Sequence, residues 1–263
     1  MNRLLKFEFY KLLKSKVFLI CSAITLGLNI FTVAVIKIVE IIAEESFYSV
    51  SGAGYMLLTM GSSFVMIISA FAALFVCTDY DQEIVKNVYS RGFSRSDVFF
   101  AKYLSTVCGT LFMYALSAVT NLILGQLLFH GDQAVEDFAV RLITQLLLVI
   151  AYTSLAFMFA MMFKRIGAAI GLSIATPTVI TLILTLLTVI LSVSANVEDA
   201  VLSTVSLNSY WLDGIMSSVS VNILLGGELG LEKPDYLLNA VLTVVYAVAF
   251  TGIAFWVNAK SDK

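Results

Sequence analysis

The chain has 263 residues, 60% of them hydrophobic and 13% charged, with a mean hydropathy of +0.95, whereas soluble domains carry roughly 25% charged residues. This composition suits a bilayer rather than one or two soluble domains. One histidine and three cysteines are too few for a zinc site or a disulfide scaffold, and the net charge of −2 acquires meaning only when resolved by side of the membrane.

Residues 3–16, RLLKFEFYKLLKSK, come first. Leu5, Phe9, Leu12 and Leu13 project onto one helical face and Arg3, Lys6 and Lys14 onto the other. The stretch is therefore predicted to be an elbow helix at the lipid interface, with a plain basic anchor as the alternative. The first predicted span, 17–36, is too long for the core of a cleaved signal peptide, and no small-residue cleavage site follows it. A second span is predicted over 56–77.

The stretch 79–102, DYDQEIVKNVYSRGFSRSDVFFAK, is the only sizeable cytoplasmic loop that this reading leaves. Gly92 is placed to stop an extension of the second helix. Ser94 with Asp97 three positions later forms a capping box that opens a short new helix. That helix carries Arg95 and the pair Phe99 and Phe100, which suits docking of a partner; aromatic anchoring at headgroups is the alternative.

Further spans are predicted over 103–129, 142–163, 166–194 and 237–257. Each of the six reaches about the 20 residues that roughly 30 Å of hydrocarbon requires, and none contains Asp, Glu, Lys or Arg. His130 falls in a short outer loop beside Gly131 and Asp132. Lys164 and Arg165 divide the fourth span from the fifth, because each would cost about 2.5 to 3.5 kcal/mol at a bilayer centre. The fifth span is long enough to tilt or kink, with Pro177 at hand for a kink. Its Gly167 and Gly171 form a GxxxG that fits a close helix crossing, within the chain or with a second one. Residues 195–236 stay outside, but apolar clusters such as SYWLDGIM suit short helices dipping into the outer leaflet, with a small folded outer loop as the alternative.

Orientation follows from the basic residues. With the N-terminus inside, thirteen of sixteen lie on the cytoplasmic side, and only Lys37, Arg141 and Lys233 lie outside, among twelve acidic residues. Both termini are expected in the cytoplasm. Cys21, Cys77 and Cys108 then occupy the inner halves of their spans as small apolar side chains.

The sequence has no GxxxxGK[ST] and no HExxH, so neither nucleotide phosphates nor a catalytic zinc are expected on this chain. Ion-coupled carriers place carboxylates or histidines at membrane depth; here Asn29, Asn121, Gln126 and Gln145 are the most polar groups in the spans, with interhelical hydrogen bonding as their expected role. Energy is then expected from a cytoplasmic partner, with a secondary carrier or channel subunit lacking an ATPase as the alternative.

An amphipathic elbow, six spans, a structured first cytoplasmic loop and a short-helix excursion before the last span resemble the ABC-2 type permease subunits of ATP-binding cassette exporters. Loop residues Glu83, Lys86, Gly92, Ser94, Arg95 and Lys102 stand where that family shows an acidic residue, a helix, a glycine break, a Ser-Arg pair and a lysine opening the next span. The family often has Gly-Thr after the acidic residue, where this chain has Ile84 and Val85. In size and layout the chain is most similar to small Firmicutes permeases that export peptide toxins, lantibiotics or phenol-soluble modulins.

The resemblance implies an all-α membrane domain in a bacterial plasma membrane, moving an amphipathic or hydrophobic cargo, a peptide toxin or antimicrobial peptide. It implies two ATPase subunits holding ATP and magnesium, a second permease that is a copy or a paralogue, lipid contact and no nucleic acid. The loop, with Glu83, Lys86, Arg91, Ser94, Arg95, Asp97, Phe99, Phe100 and Lys102, would couple to the ATPase. Spans two and five would line the path, with Met60, Ser63, Phe64, Met66, Phe71 and Pro177 on it, although core packing explains the span-two residues almost as well. Spans one and five would form the dimer seam. No catalytic residue and no metal ligand is implied.

Overall fold

The computed structural model describes residues 2–43, 52–59, 62–81, 84–129, 137–194, 210–217 and 236–260. Among them there is no strand, and six helices are long and apolar enough to cross a membrane. The protein is an all-α integral membrane protein. The helices are α1 (Asn2–Lys14), α2 (Lys16–Ala43), α3 (Ser62–Asp81), α4 (Ile84–Ser90), α5 (Arg95–Leu128), α6 (Phe138–Phe163), α7 (Ile166–Ser194) and α8 (Tyr236–Lys260).

Contacts fix which ends lie together. The elbow α1 meets the end of α3 and the start of α5, and Phe99 near the start of α5 meets Phe157 of α6 and Phe255 near the end of α8. The starts of α2, α5 and α7 and the ends of α3, α6 and α8 therefore share one side of the molecule, called the elbow end below.

Helices α3 and α6 are mostly buried, whereas α2, α7 and α8 are largely exposed along their apolar lengths. Leu148, Val149, Ala151 and Tyr152 of α6 pack in one core with Phe64, Val65, Ile68 and Phe71 of α3, which makes these two helices the interior of the bundle. The exposed leucines, isoleucines and valines of α7 and α8 suit lipid or another apolar chain.

Three sequence expectations need correction. The second span does not run as an α-helix from Met56: Gly52–Thr59 form a 3₁₀ helix, and the α-helix starts at Ser62. Side chains from neighbouring helices support this irregular piece. Gln145 Nε2 donates to the Leu57 carbonyl at 2.7 Å and Asn121 Nδ2 to the Thr59 hydroxyl at 3.0 Å, as backbone away from regular helix requires inside a bilayer. Thus Asn121 and Gln145 do bridge elements, whereas Gln126 is exposed.

The loop helix predicted to end near Lys102 is instead the first part of α5, which continues through the third span to Leu128. Nothing between Asp97 and Tyr103 breaks a helix, so the Ser94 cap opens the span itself. The separate short helix lies earlier, at α4.

The aliphatic face of the elbow, expected at the lipid interface, is split. Leu4, Glu8 and Leu12, spaced by four, are buried, with Leu5 and Phe9 at their flank, while Leu13 is exposed beside Phe7 and Tyr10. The buried side faces α3 and α5, because Lys11 of the elbow reaches Asp79 of α3 and Leu4 packs on Val98 of α5. The first spanning helix, α2, runs past the expected end at Ile36 to Ala43, whereas the boundary between spans four and five falls where expected: α6 stops at Phe163, and Lys164 adopts a left-handed φ of 52° as its C-cap before α7 starts at Ile166. Cys21 and Cys77 are buried free thiols, and Cys108 is partly exposed.

Candidate coupling surface and membrane path

The loop surface begins with two local devices. Gly92, at φ 84°, takes the left-handed conformation after α4 that favours glycine. Ser94 then caps α5, its hydroxyl accepting from the Asp97 backbone N–H at 3.2 Å. Arg91, Ser94, Arg95 and Phe100 are exposed around this corner, and Asp97 is partly exposed. Lys86 belongs to α4, and Glu83 lies outside the described residues.

Phe99 and Lys102 do not belong to that surface, which corrects their expected place in docking. Phe99 is buried between Phe157 and Phe255, with ring centroids 5.4 Å away in each case. Lys102 is buried against Asp79, because the helix that carries it turns that face toward α3.

Asp79 joins three helices. Its two carboxylate oxygens receive Lys11 of α1 and Lys102 of α5. Lys11 also stands 3.9 Å from Glu8, which is buried. Burial pushes the Glu8 carboxyl above its ordinary 4.5, against the pull of Lys102 and Lys11. One turn away, Leu4 of the elbow packs with Val98 and Ala101 of α5 and with Val88, Tyr89 and Phe93 of the loop. Gly109 completes the joint: a Cβ there would come 2.9 Å from Phe71 Cζ and 3.0 Å from Leu12 Cδ1. The elbow, the loop corner and spans two and three are thereby one mechanical unit. Sequence reasoning placed Lys102 on the loop and missed Asp79 and Lys11; the signal available was a carboxylate directly at the end of an apolar run.

The expected path residues divide. Phe64 and Phe71 are core, Ser63 and Met66 are exposed, Pro177 is buried within α7, and Met60 lies outside the described residues. The two faces of span two are thus equally apolar in sequence but opposite in environment. Gly167 and Gly171 are exposed, and a Cβ built on either meets nothing within 4 Å. Among the described residues they make no close helix crossing.

A site that sequence reasoning did not place lies deeper. Residues 210–217 pack into the bundle, with Trp211, Leu212 and Ile215 buried in the same core as Phe64, Val65 and Ile68. Trp211 meets Tyr246 of α8 edge-on at 5.3 Å, and the Tyr246 hydroxyl donates to the Tyr210 carbonyl at 3.0 Å. This seating brings Asp213 against Tyr152 of α6, whose hydroxyl donates to Oδ1, and Thr181 of α7, whose hydroxyl stands 2.9 Å from Oδ2. Asp213 thus reaches the middle stretches of two helices long enough to span a membrane, from a segment outside the predicted spans. The apolar setting of Asp213 in SYWLDGIM was the available signal.

Six helices long and apolar enough to cross a membrane, with an elbow fastened beside a capped loop corner, define a multi-pass helical membrane protein. The chain belongs to the ABC-2 family transporter proteins, whose family model matches residues 4–178, from the elbow to just past Pro177. No curated protein and no solved structure matches it. Family membership makes it a multi-pass, non-ATPase subunit of an ATP-binding cassette transporter, a kind of subunit that usually works with an ABC ATPase partner.

Proposed function

We propose that this subunit exports an amphipathic peptide across a bacterial plasma membrane, driven by two ATPase chains that dock at the elbow end, with both termini cytoplasmic. The observation carrying this reading is the exposed, capped corner of Arg91, Ser94, Arg95 and Phe100, built on a unit that Asp79 ties to two lysines. A push on the corner is passed to α3 and α5 as one body, because a buried pair resists separation far more than an exposed one. A second permease, a copy or a paralogue, is the occupant proposed for the exposed glycine face of α7 together with α2, since small residues allow close backbone approach.

The test is Arg95→Glu together with Phe100→Ala. Both positions are exposed, so abundance and membrane insertion stay normal while the bound ATPase is lost or no longer responds to cargo. Wild-type ATPase association in both variants would reject the corner as the docking surface.

A further inference from the structure

The depth of Asp213 follows from its two partners. Tyr152 lies about 16 Å along α6 from its elbow end and about 21 Å from its far end, and Thr181 lies about 22 Å along α7 from the elbow end. A hydrocarbon core of roughly 30 Å contains both positions. Asp213 is partly exposed there.

Its hydrogen bonding is incomplete. An ionised carboxylate offers about four acceptor positions. The Tyr152 hydroxyl fills one, and the Thr181 hydroxyl has a single proton and also stands 3.0 Å from the Pro177 carbonyl. Among the described residues, no lysine or arginine is paired with Asp213. Acidic groups in a membrane interior occur facing a cavity or paired with a cation, and they mark the route of a substrate or ion.

We propose that Asp213, oriented by Tyr152 and Thr181, is a recognition site for a cationic group on the cargo, an ammonium or guanidinium carried by an otherwise apolar, amphipathic molecule. The proposal rests on the exporter reading and adds the charge of what is exported. The apolar body of such a cargo meets the surrounding surface, while its cation replaces water with one charge-assisted hydrogen bond to a carboxylate already held by two side chains. Thr181 lies one turn beyond Pro177 on α7, so the site adjoins the one proline of a spanning helix.

The experiment uses the permease with its co-purified ATPase in phosphatidylcholine nanodiscs. The probes are a fluorescent leucine–lysine amphipathic peptide and the same peptide with every lysine acetylated, read by anisotropy against empty discs. Wild type binds the lysine peptide about tenfold more tightly than the acetylated one, the scale of one hydrogen bond to a charged group. Asp213→Asn, which keeps the size of the side chain but removes its charge and turns one acceptor oxygen into a donor, brings the two affinities within about twofold of each other, and Asp213→Glu restores the preference. If Asp213→Asn does not fold, Thr181→Val supplies the test: it removes one of the two hydroxyls that orient the carboxylate, and the lysine preference falls by at least about threefold. A lysine preference that survives in Asp213→Asn, is unchanged in Thr181→Val, or is missing from wild type overturns the proposal. Failure of the exporter reading would be seen separately, as absence of ATPase from the purified permease whatever the peptides do.

Discussion

Two aspartates, Asp79 and Asp213, both sit among apolar helices, and their surroundings give them opposite roles. Asp79 is almost fully buried, and both of its oxygens are answered by lysines from other helices. Asp213 is partly exposed and, among the described residues, answered by the hydroxyls of Tyr152 and Thr181 alone. A carboxylate whose charge the protein neutralises is a fastener, since removing either partner strands the other in a poor solvent for ions. A carboxylate left with neutral donors in a membrane retains its attraction for a cation from elsewhere. The elbow end is built to hold together, and the deeper site is built to recognise.

The strongest way to break this comparison is Asp79→Ala. It leaves Lys102 buried without its counter-ion, a loss of about 3 to 5 kcal/mol when one partner of a buried pair is removed. The expected outcome is a sharp fall in thermal stability in detergent and in membrane abundance, whereas Asp213→Asn melts close to wild type. Comparable stability of Asp79→Ala and wild type would show that the junction is not a fastener.

Next in size is Gly109→Val. The new side chain must displace Phe71 and Leu12, and overfilling a packed interior costs about 1 to 3 kcal/mol. The elbow should loosen from α3 and α5, read as faster proteolysis within residues 2–16. Gly171→Leu, at an open position, should leave the isolated chain's stability unchanged and weaken only assembly with a second permease.

Glu8→Gln has the smallest expected effect and the most diagnostic sign. Burial raises the folded-state pKa of Glu8 above 4.5, so folding favours its protonated form. That contribution is complete below the ordinary carboxylate pKa and is lost as pH rises through the raised value. Elbow docking in the wild type should therefore tighten as pH falls from neutral toward the ordinary carboxylate value of 4.5, and Gln should flatten that dependence without weakening docking at neutral pH. Proteolysis of the elbow across this range gives the readout; a Gln variant cut faster at pH 7 would mean that Glu8 acts as a stabilising anion.

The number, order and approximate ends of the crossing helices were legible in the sequence because each is an apolar run of bilayer length without charge. The Ser94–Asp97 cap was legible because a capping box is local. Facing was not. In a bilayer an apolar residue is acceptable both inside the bundle and against lipid, so nothing in sequence separates buried Phe64 from exposed Met66. The split of the elbow's apolar face was hidden because pairing Lys11 with Asp79 of another helix depends on tertiary position. Asp213 was hidden for the same reason: its depth is set by how 210–217 seat between α3, α6, α7 and α8.

The central claim is that this permease works as the membrane half of an ATP-driven complex docked at its elbow end. An intact-complex mass measurement after mild extraction from native membranes tests it most directly. The account predicts two permease chains, of 28.7 kDa each if both are copies of this one, together with two ATPase chains, and loss of the ATPase mass in Arg95→Glu. A wild-type permease that flies without any ATPase, or an Arg95→Glu complex with its ATPase fully retained, would contradict it.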